Sequence, residues 1–402
     1  MVVLTYLCWA IALIVCIPVL TFTLECWLAM LPGRSPSPAA NAPRLAVLIP
    51  AHNEALGIQD TLAALVPQLV EGDRLIVIAD NCSDDTAAIA RSTGATVLER
   101  YNLDQRGKGY ALDFGLRSLD ADPPDIVVMV DADCTLLPGA LRTIAQQADR
   151  SQRPVQALYL MEQPPDPSAK DSVSALAFMV KNRVRPRGLQ RLGLPCLLTG
   201  TGMAFPWEMI RQSPLASGNI VEDMQLGLDL AIAGAPPQFC ETARVIGRLP
   251  QQDQAATSQR TRWEHGHLQT LVTQVPRLLT TAIARQRLGA LALALDLAVP
   301  PLSLLVMLWG AAMLGAIAAG WLGVSWAIAG FLGLQGLLLL SAVMLAWARF
   351  GRSIISLGQL LSIPLYVLWK IPMYIAFIVR PQRQWVRTER DPAPPPKADS
   401  AP

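Results

Sequence analysis

Acidic side chains follow the apolar runs in the N-terminal half of the chain. Glu54, Asp80, Asp131 and Asp133 each lie at the end of such a run or just after it. Clustered carboxylates repel each other unless a cation or a partner's hydrogen-bond donors neutralise them. Magnesium in proteins prefers carboxylate ligands combined with phosphate oxygens. The pattern therefore predicts a divalent metal that is bound together with a phosphate-bearing ligand.

The spacing Asp131-x-Asp133 is suited to such a metal. Side chains two residues apart on an extended chain point the same way, so both carboxylates can reach one ion or its water. Two acids separated by one residue are common in proteins, and it is their position after a buried strand that favours a metal site.

A glycine-flanked cation lies in the segment Arg106-Gly107-Lys108-Gly109, which opens a predicted helix. Backbone N–H groups at a helix N-terminus bind anions, and glycine lets a phosphate approach the backbone closely. The G-x-x-x-x-G-K-[ST] spacing of a P-loop is absent. A solvated basic turn is the alternative interpretation.

Two further motifs carry side chains that could contact a substrate. Glu222 and Asp223 fall in the first turn of a predicted helix, where acids also serve to compensate the helix dipole. Residues 199–202 (TGTG) predict a glycine turn that could line a cleft.

The segment 259–263 (QRTRW) places Arg262 and Trp263 on a helix just before an apolar region, where Arg and Trp are commonplace. The nearby pair His265-x-His267 is a weak metal motif because it has no third ligand.

The elements that must position these residues form an alternation of apolar runs and helical stretches. This alternation indicates an α/β domain with a parallel sheet covered on both faces. Ligands in such sheets bind beyond the carboxyl ends of the strands, where the acids lie. The predicted strands are 45–50, 75–80, 96–99 and 126–131, and the predicted helices are 58–70, 84–92 and 108–119.

Composition places this domain between membrane segments. The chain has 402 residues, 52% hydrophobic and only 16% charged. Residues 288–379 contain four charges, and residues 1–33 contain only Glu25. A wholly soluble or a disordered protein is therefore excluded. The net charge of +2, without a basic stripe interleaved with aromatics, argues against a nucleic-acid partner. The seven cysteines contain no C-x-x-C pair, which favours reduced thiols.

The predicted order of segments is an uncleaved anchor (1–33), a linker (34–44), a cytoplasmic domain (45–287), apolar helices (288–379) and a basic, then disordered tail (380–402). Basic residues follow the anchor and none precedes it, so the positive-inside rule puts the domain in the cytoplasm. Residues 288–319, with a kink at Pro300-Pro301, and residues 321–347 each suffice for one crossing.

The last apolar segment, 354–379, has two interpretations. A crossing would leave the four arginines of the tail, Arg380, Arg383, Arg387 and Arg390, on the outer side, against the charge rule. A re-entrant or interfacial pair of helices, with Lys370 reaching the headgroups, satisfies both constraints and is preferred.

Six motifs in this order resemble the membrane-bound family 2 glycosyltransferases of the bacterial polysaccharide-synthase type. They are VLIPAHNE (47–54), ADNCSDDT (79–86), RGKGYAL (106–112), VDADC (130–134), VED (221–223) and QRTRW (259–263). The resemblance covers about residues 45–270, together with the anchor before the domain and the helices after it. It implies a GT-A fold, inserted between an N-terminal transmembrane helix and C-terminal transmembrane or interfacial helices. It also implies transfer of a sugar from a nucleotide-diphosphate donor with inversion at the anomeric carbon.

The resemblance implies the roles of individual residues. Asp223 would be the general base, and Asp133 with Asp131 would hold Mg²⁺ or Mn²⁺. The nucleotide-sugar would contact Pro50, His52, Asn53, Glu54, Asp80, Lys108, Asp131, Gln259, Arg262 and Trp263. The acceptor would contact Gly200, Thr201, Gly202, Glu222 and Trp263.

The implied function is an inverting transfer to a glycan or lipid-linked acceptor in exopolysaccharide or cell-envelope synthesis. The expected location is the bacterial inner membrane, with the catalytic domain cytoplasmic. The expected partners are a nucleotide-sugar donor, the acceptor, membrane lipids and other polysaccharide-synthesis membrane proteins. Two alternatives stay open: a polyprenyl-phosphate sugar transferase, and a catalytically inactive scaffold of a glycan-synthesis complex.

Overall fold

The computed structural model describes residues 1–33, 42–216, 221–248 and 253–379. An N-terminal helix is followed by an α/β domain and then by a group of apolar helices. The helices are α1 (Val2–Leu28), α2 (Ile58–Leu65), α3 (Thr86–Ser92), α4 (Lys108–Arg117), α5 (Ala140–Ser151), α6 (Ala169–Met179), α7 (Arg185–Arg191), α8 (Trp207–Ile210), α9 (Glu222–Ala233), α10 (Asp253–Arg285), α11 (Leu288–Ala298), α12 (Leu302–Trp321), α13 (Ala327–Ala346), α14 (Leu357–Leu360), α15 (Ile363–Trp369) and α16 (Ile371–Val379).

Eight strands form one sheet in the order β3-β2-β1-β4-β7-β6-β8-β5. The strands are β1 (Leu45–Ala51), β2 (Arg74–Asp80), β3 (Thr96–Arg100), β4 (Ile126–Met129), β5 (Cys134–Leu136), β6 (Val155–Glu162), β7 (Met203–Pro206) and β8 (Gln238–Arg248). Strands β1 to β4 are mutually parallel, as predicted. Strand β7 runs antiparallel to β4 and to β6, so the second half of the sheet is mixed.

The central strand β1 shows why the apolar runs become buried strands. Its alternate side chains enter two different cores: Leu45, Val47 and Ile49 lie in one, and Ala46 and Leu48 lie in the other. All five are fully buried. A strand covered by helices on both faces needs apolar residues at every position, which is the pattern of the sequence.

Several predicted boundaries shift in the structure, and two of them bear on the acidic residues. Strand β4 ends at Met129, so Asp131 and Asp133 lie in the loop that follows it. Helix α3 begins at Thr86, because the Asp84 carboxylate stands outside the helix and accepts a hydrogen bond from the Thr86 N–H at 3.1 Å.

Four segments of the described chain are long and apolar enough to cross a membrane: α1, α12, residues 327–351 and residues 357–379. The predicted crossing 288–319 was wrong in its extent. Pro300 and Pro301 separate two helices instead of kinking one, because proline lacks the N–H that would continue the ladder. The first of the two, α11, has 11 residues and packs beside α9 and α10, so α12 alone is the crossing candidate.

The last apolar segment is broken into the three short helices α14, α15 and α16. Lys370, between α15 and α16, is only 4% exposed and forms an ion pair with Glu264 of α10. The prediction that Lys370 reaches the headgroups is therefore wrong, since a protein carboxylate neutralises it instead. Arg34 and the four arginines of the tail lie outside the described residues.

Helix α1 is attached to the α/β domain through buried charges. Arg185 of α7 donates to Glu25 of α1 at 2.6 Å and also pairs with Asp296 of α11. All three side chains are at most 7% exposed. Buried charges must be paired, so this cluster fixes α1 and α11 against the domain.

Candidate active site

A cleft of about 290 Å³ opens at the carboxyl ends of β1, β2 and β4. The parallel arrangement brings the loops after these strands to one edge of the sheet, as the sequence predicted. Ten of the predicted site residues line this cleft: Pro50, His52, Glu54, Asp80, Lys108, Asp131, Asp133, Gln259, Arg262 and Trp263. The others, Asn53, Gly200, Thr201, Gly202, Glu222 and Asp223, lie behind or beside it.

Asp80 is held by a cation that sequence reasoning missed. Arg100 donates to Asp80 at 2.6 Å, and both side chains are less than a tenth exposed. The Arg100 guanidinium, at the end of the neighbouring strand, neutralises this carboxylate without a metal. The acidic edge is therefore partly compensated by the protein itself.

The loops after β1 and β2 brace each other. Asn53 and Asn81 both adopt left-handed backbone angles, with φ of 53° and 52°, a conformation that asparagine tolerates. The Asn53 side chain accepts from the Ser83 N–H at 2.7 Å. His52 donates from Nδ1 to the Asp80 carbonyl at 2.7 Å. Asn53 therefore shapes the loop that presents His52 and Glu54.

Lys108 occupies the centre of the site. Its ammonium group pairs with Asp131 and donates to the Gly200 carbonyl at 2.6 Å. Burial favours the neutral amine, but Asp131, Glu222 and Asp223 outweigh that effect and raise the pKa of Lys108. Lys108 is therefore a permanent cation at the start of α4, and the alternative of a solvated basic turn is excluded.

The donor set after β4 fits a divalent metal. Ligand atoms of Asp131, Asp133 and Cys134 all lie within 4.8 Å of one another, the only such group among the described residues. Carboxylate oxygens are the ligands that Mg²⁺ and Mn²⁺ prefer. Mg²⁺ and Mn²⁺ prefer oxygen ligands and thiolates suit softer metals, so we count only the two carboxylates as ligands.

Glu222 and Asp223 form the first turn of α9 and face the Lys108 side of the site. A Cβ atom built on Gly200 would lie 3.3 Å from Asp223 Oδ2 and 3.6 Å from Lys108 Nζ. A Cβ atom would crowd the Asp223 carboxylate, and the φ of +91° is a backbone conformation that favours glycine. Burial raises the pKa of Asp223, while Lys108 opposes the shift. Burial likewise raises the pKa of Glu222 to about 7. These acids face charged groups, so they do more than compensate the helix dipole.

Thr201 and Gly202 are buried under the site and do not line the cleft. The Thr201 side chain is 0% exposed, and its hydroxyl accepts from the Asp131 N–H at 3.1 Å. A Cβ atom on Gly202 would collide with Val245. A fully buried side chain cannot touch an acceptor, so we replace the expected acceptor contact of Thr201 by a role in positioning Asp131.

Helix α10 closes one wall of the cleft with Gln259, Arg262 and Trp263. The Trp263 ring packs on Phe178, with ring centroids 5.8 Å apart, and Phe178 packs on Tyr159 at 5.2 Å. Gln259 is 6% exposed, and its Oε1 accepts no hydrogen bond within the described structure. This wall offers a cation, an aromatic face and an acceptor atom to a ligand.

Two cleft residues lie outside every motif noted in the sequence, namely Leu103 and Tyr159. Tyr159 lies in the middle of β6 and resembles a core residue, so no local pattern marks it. Asn81 also lines the cleft, and it stands beside Asp80 in the motif 79–86. His265 and His267 belong to no group of metal-ligating side chains among the described residues, and their Nε2 atoms donate to the carbonyls of Met373 and Val299.

Comparison with known proteins gives consistent results. The family described as "Glycosyltransferase like family 2" matches residues 43–266. The low-salt glycan biosynthesis hexosyltransferase Agl6 of Haloferax volcanii is 38% identical over 98 residues, which is 23% of this chain and 22% of that protein. Glucosyl-3-phosphoglycerate synthase of Mycobacterium tuberculosis is 40% identical over 103 residues, 24% of this chain and 31% of that protein. The chain thus spans less than a third of the length of these curated relatives.

One solved structure matches almost the whole chain. The mannosyltransferase PcManGT of Pyrobaculum calidifontis, determined with GDP-mannose and Mn²⁺, superposes with a TM-score of 0.55 at 18% identity. The match covers 92% of this chain and 99% of that one. The match therefore includes the apolar helices as well as the GT-A-like α/β domain. At 18% identity it supports a shared fold and nothing further.

Proposed function

We propose that this chain, which belongs to glycosyltransferase-like family 2, transfers a hexose from a nucleoside diphosphate sugar to a glycan or lipid-linked acceptor at a membrane surface. One observation carries the proposal. Two adjacent carboxylates suited to a metal and three cations line one cleft at the carboxyl edge of the sheet, and the half-buried carboxylate of Asp223 lies beside this cleft, close to Gly200 and Lys108. This is the set of groups that diphosphate departure and acceptor deprotonation require.

The donor would lie along the sheet edge. Asp80, fixed by Arg100, faces the nucleobase or ribose, and Lys108, Arg106 and Arg262 surround the position of the diphosphate. Asp131 and Asp133 would hold Mg²⁺ or Mn²⁺, which supplies charge neutralisation at the departing diphosphate. Thr201 keeps Asp131 in place through its backbone N–H.

Asp223 would act as the general base. Its carboxylate takes the proton of the acceptor hydroxyl, the hydroxyl oxygen bonds to the anomeric carbon, and the bond from that carbon to the diphosphate oxygen breaks. The nucleoside diphosphate leaves with the electron pair, so no second acid is needed. A single displacement inverts the anomeric centre. The raised pKa of Asp223 makes it a stronger base than a solvated carboxylate.

The apolar helices would bring the site to its acceptor. We assign residues 1–33 and 288–379 to membrane anchoring and residues 45–287 to the catalytic domain. The proposed location is the cytoplasmic face of a bacterial inner membrane, and the proposed pathway is exopolysaccharide or cell-envelope synthesis. The intact set Asp131, Asp133 and Asp223 argues against an inactive scaffold.

The test uses the full-length chain purified into lipid nanodiscs. Titration calorimetry with UDP and GDP, each with and without Mn²⁺, measures whether the chain selects a nucleotide and needs a metal to hold it. A panel of radiolabelled nucleotide sugars, incubated with membranes that contain the chain, then shows whether label enters lipid or polymer. Metal-dependent nucleotide binding followed by transfer supports the proposal. Nucleotide affinity that is equal with and without Mn²⁺, or no transfer from any donor, contradicts it.

A further inference from the structure

The break between α15 and α16 contacts α10, the helix that carries Arg262 and Trp263. Lys370 at this break forms an ion pair with Glu264. The Tyr374 hydroxyl, one turn later, donates to the other carboxylate oxygen of Glu264 at 2.5 Å. Both oxygens of a single carboxylate are thus bound by the apolar C-terminal segment.

Two more hydrogen bonds are made by residues at or just after the break between α15 and α16. The side chains of Ser303, at the start of α12, and Tyr374 share a hydrogen bond of 2.6 Å. His265, the neighbour of Glu264, donates from Nε2 to the Met373 carbonyl at 3.0 Å. The break is therefore connected to two successive residues of α10 and to the first turn of a membrane helix.

The residues held in this way directly follow the cleft wall. Glu264 is next in the chain to Trp263, and Arg262 precedes it on the same helix. A helix is stiff over one turn, so the contacts of Glu264 and His265 set the rotation at which Arg262 and Trp263 enter the cleft. Phe178 supports the Trp263 ring from the α6 side.

The same contacts decide where the last apolar segment lies. The Lys170 ammonium of α6 lies 4.7 Å from the Trp369 ring, so the end of α15 touches a second helix of the catalytic domain. Helix α14 also contacts α6. Only the 9 residues of α16 extend beyond this contact. They span about 14 Å, half of the roughly 30 Å of a hydrocarbon core.

We propose that Glu264, Lys370 and Tyr374 form a latch through which the segment 357–379 lies on the catalytic side of the membrane and positions Arg262 and Trp263 for transfer. The three are positioning residues, since they act through the cleft wall and touch no substrate. The claim that the latch positions these residues for transfer rests on the proposed function. The geometry of the latch can be measured whether or not that function is correct.

The first test reads the position of Trp263 directly. The full-length chain is labelled with 5-fluorotryptophan in nanodiscs, and the Trp263 fluorine resonance is assigned with Trp263→Phe. Lys370→Met is expected to shift this resonance, and the exchange Glu264→Lys with Lys370→Glu is expected to return it toward the wild-type position. Arg277→Met, which breaks an ion pair between α10 and Asp229 away from the cleft, is the matched control. An unmoved Trp263 signal in Lys370→Met overturns the latch.

The second test separates positioning from general stability. Lys370→Met is expected to lower transfer from the preferred nucleotide sugar into the lipid extract by about tenfold or more. It should weaken nucleotide binding no more than Arg262→Met does, because Arg262 is one of the groups placed around the diphosphate. Lys370→Arg keeps the charge and should recover most of both losses. If Lys370→Met lowers transfer or nucleotide affinity further in a chain that already carries Arg262→Met and Trp263→Phe, the loss does not pass through the cleft wall, the role is structural and the proposal fails. If wild type transfers nothing, the proposed function fails, and the Trp263 resonance still decides the latch.

A third test addresses the side of the membrane. A fluorescent protein fused after Val379 in an expressing bacterium is expected to fluoresce, as a fusion on the cytoplasmic side does, and alkaline phosphatase at the same point should be inactive. A control fusion after Gly323, between α12 and α13, should give the opposite pair. Active phosphatase after Val379 would mean that the segment crosses, and it would overturn the assigned side.

Discussion

The Lys108 ammonium is paired with the Asp131 carboxylate at the carboxyl edge of the sheet, next to the carbonyl of Gly200. Gly200 in turn lies against Asp223. One cation thus stands between the acids assigned to the donor and the acid assigned to the acceptor. A departing diphosphate would compete for this cation, which links donor binding to the charge around the base.

Replacing the proposed base should separate donor binding from transfer. Asp223→Asn keeps the size of the side chain but cannot take up a proton, so transfer should fall by about 10²–10⁴-fold. Affinity for Mn²⁺ and nucleotide should stay near wild type, as measured by calorimetry. Asp229→Asn, on the outer part of the same helix, is the control. Substantial turnover in Asp223→Asn would remove the base assignment.

Replacing one proposed metal ligand should remove the metal dependence of nucleotide binding. In Asp133→Ala the affinity for nucleotide is expected to be low and unchanged by Mn²⁺, because Asp131 remains paired with Lys108 and cannot hold the ion alone. Asp120→Asn, whose partner is the surface residue Arg211, is the control. If Mn²⁺ still strengthens nucleotide binding to Asp133→Ala as in wild type, the ligand assignment is wrong.

Thr201 should matter although it lies below the cleft. Thr201→Val removes the acceptor for the partly buried Asp131 N–H and should cost about 1–3 kcal/mol of stability. The displaced Asp131 should also weaken Mn²⁺-dependent nucleotide binding. Thr143→Val, at an exposed helix position, is the matched control and should change neither quantity. Normal metal dependence in Thr201→Val would contradict the positioning role.

Glu222 predicts a pH dependence of stability. Burial raises its pKa to about 7, with Lys108 opposing and Asp223 adding to the shift. The pKa of a glutamate in the unfolded chain is about 4.3. The fold therefore favours the neutral form of Glu222, and the contribution of this group to the free energy of unfolding is fully present below that pH. It is lost as pH rises toward about 7, by at most about 1.4 kcal/mol per pH unit.

Glu222→Gln should therefore flatten the fall of the unfolding temperature between about pH 4.3 and about pH 7. Differential scanning fluorimetry in one detergent at several pH values measures this slope. Glu208→Gln, at an exposed position on α8, is the control and should leave the slope unchanged. Equal slopes for wild type and Glu222→Gln would show that Glu222 is not buried beside charged groups as described.

Removing Arg185 should loosen α1 and α11 from the catalytic domain. Arg185→Met leaves the carboxylates of Glu25 and Asp296 buried without their cation, which should cost about 3–5 kcal/mol. The triple change of Arg185→Met with Glu25→Gln and Asp296→Asn removes the unpaired charges and should recover part of this loss. The unfolding temperature in nanodiscs measures both, and a single variant as stable as wild type would contradict the pairing.

The sequence by itself determined the first half of the sheet and the position of its acids. Each apolar run, such as residues 45–50, is a local signal, and parallel strands place their carboxyl ends at one edge whatever the rest of the chain does. The ordered motifs added the family and the two acids of Asp131-x-Asp133. The low charge of residues 1–33 and 288–379 likewise indicated the membrane segments without any tertiary information.

Only the tertiary structure decided which charges meet. Arg100 neutralises Asp80, Thr201 supports Asp131 from 70 residues away, and Lys370 pairs with Glu264 across 106 residues. No local pattern marks such pairs, because each depends on how distant elements pack. The last apolar segment shows the difference most clearly. Its hydropathy allows a crossing, but one buried ion pair joins its middle to α10, since a charge among apolar residues must find a partner.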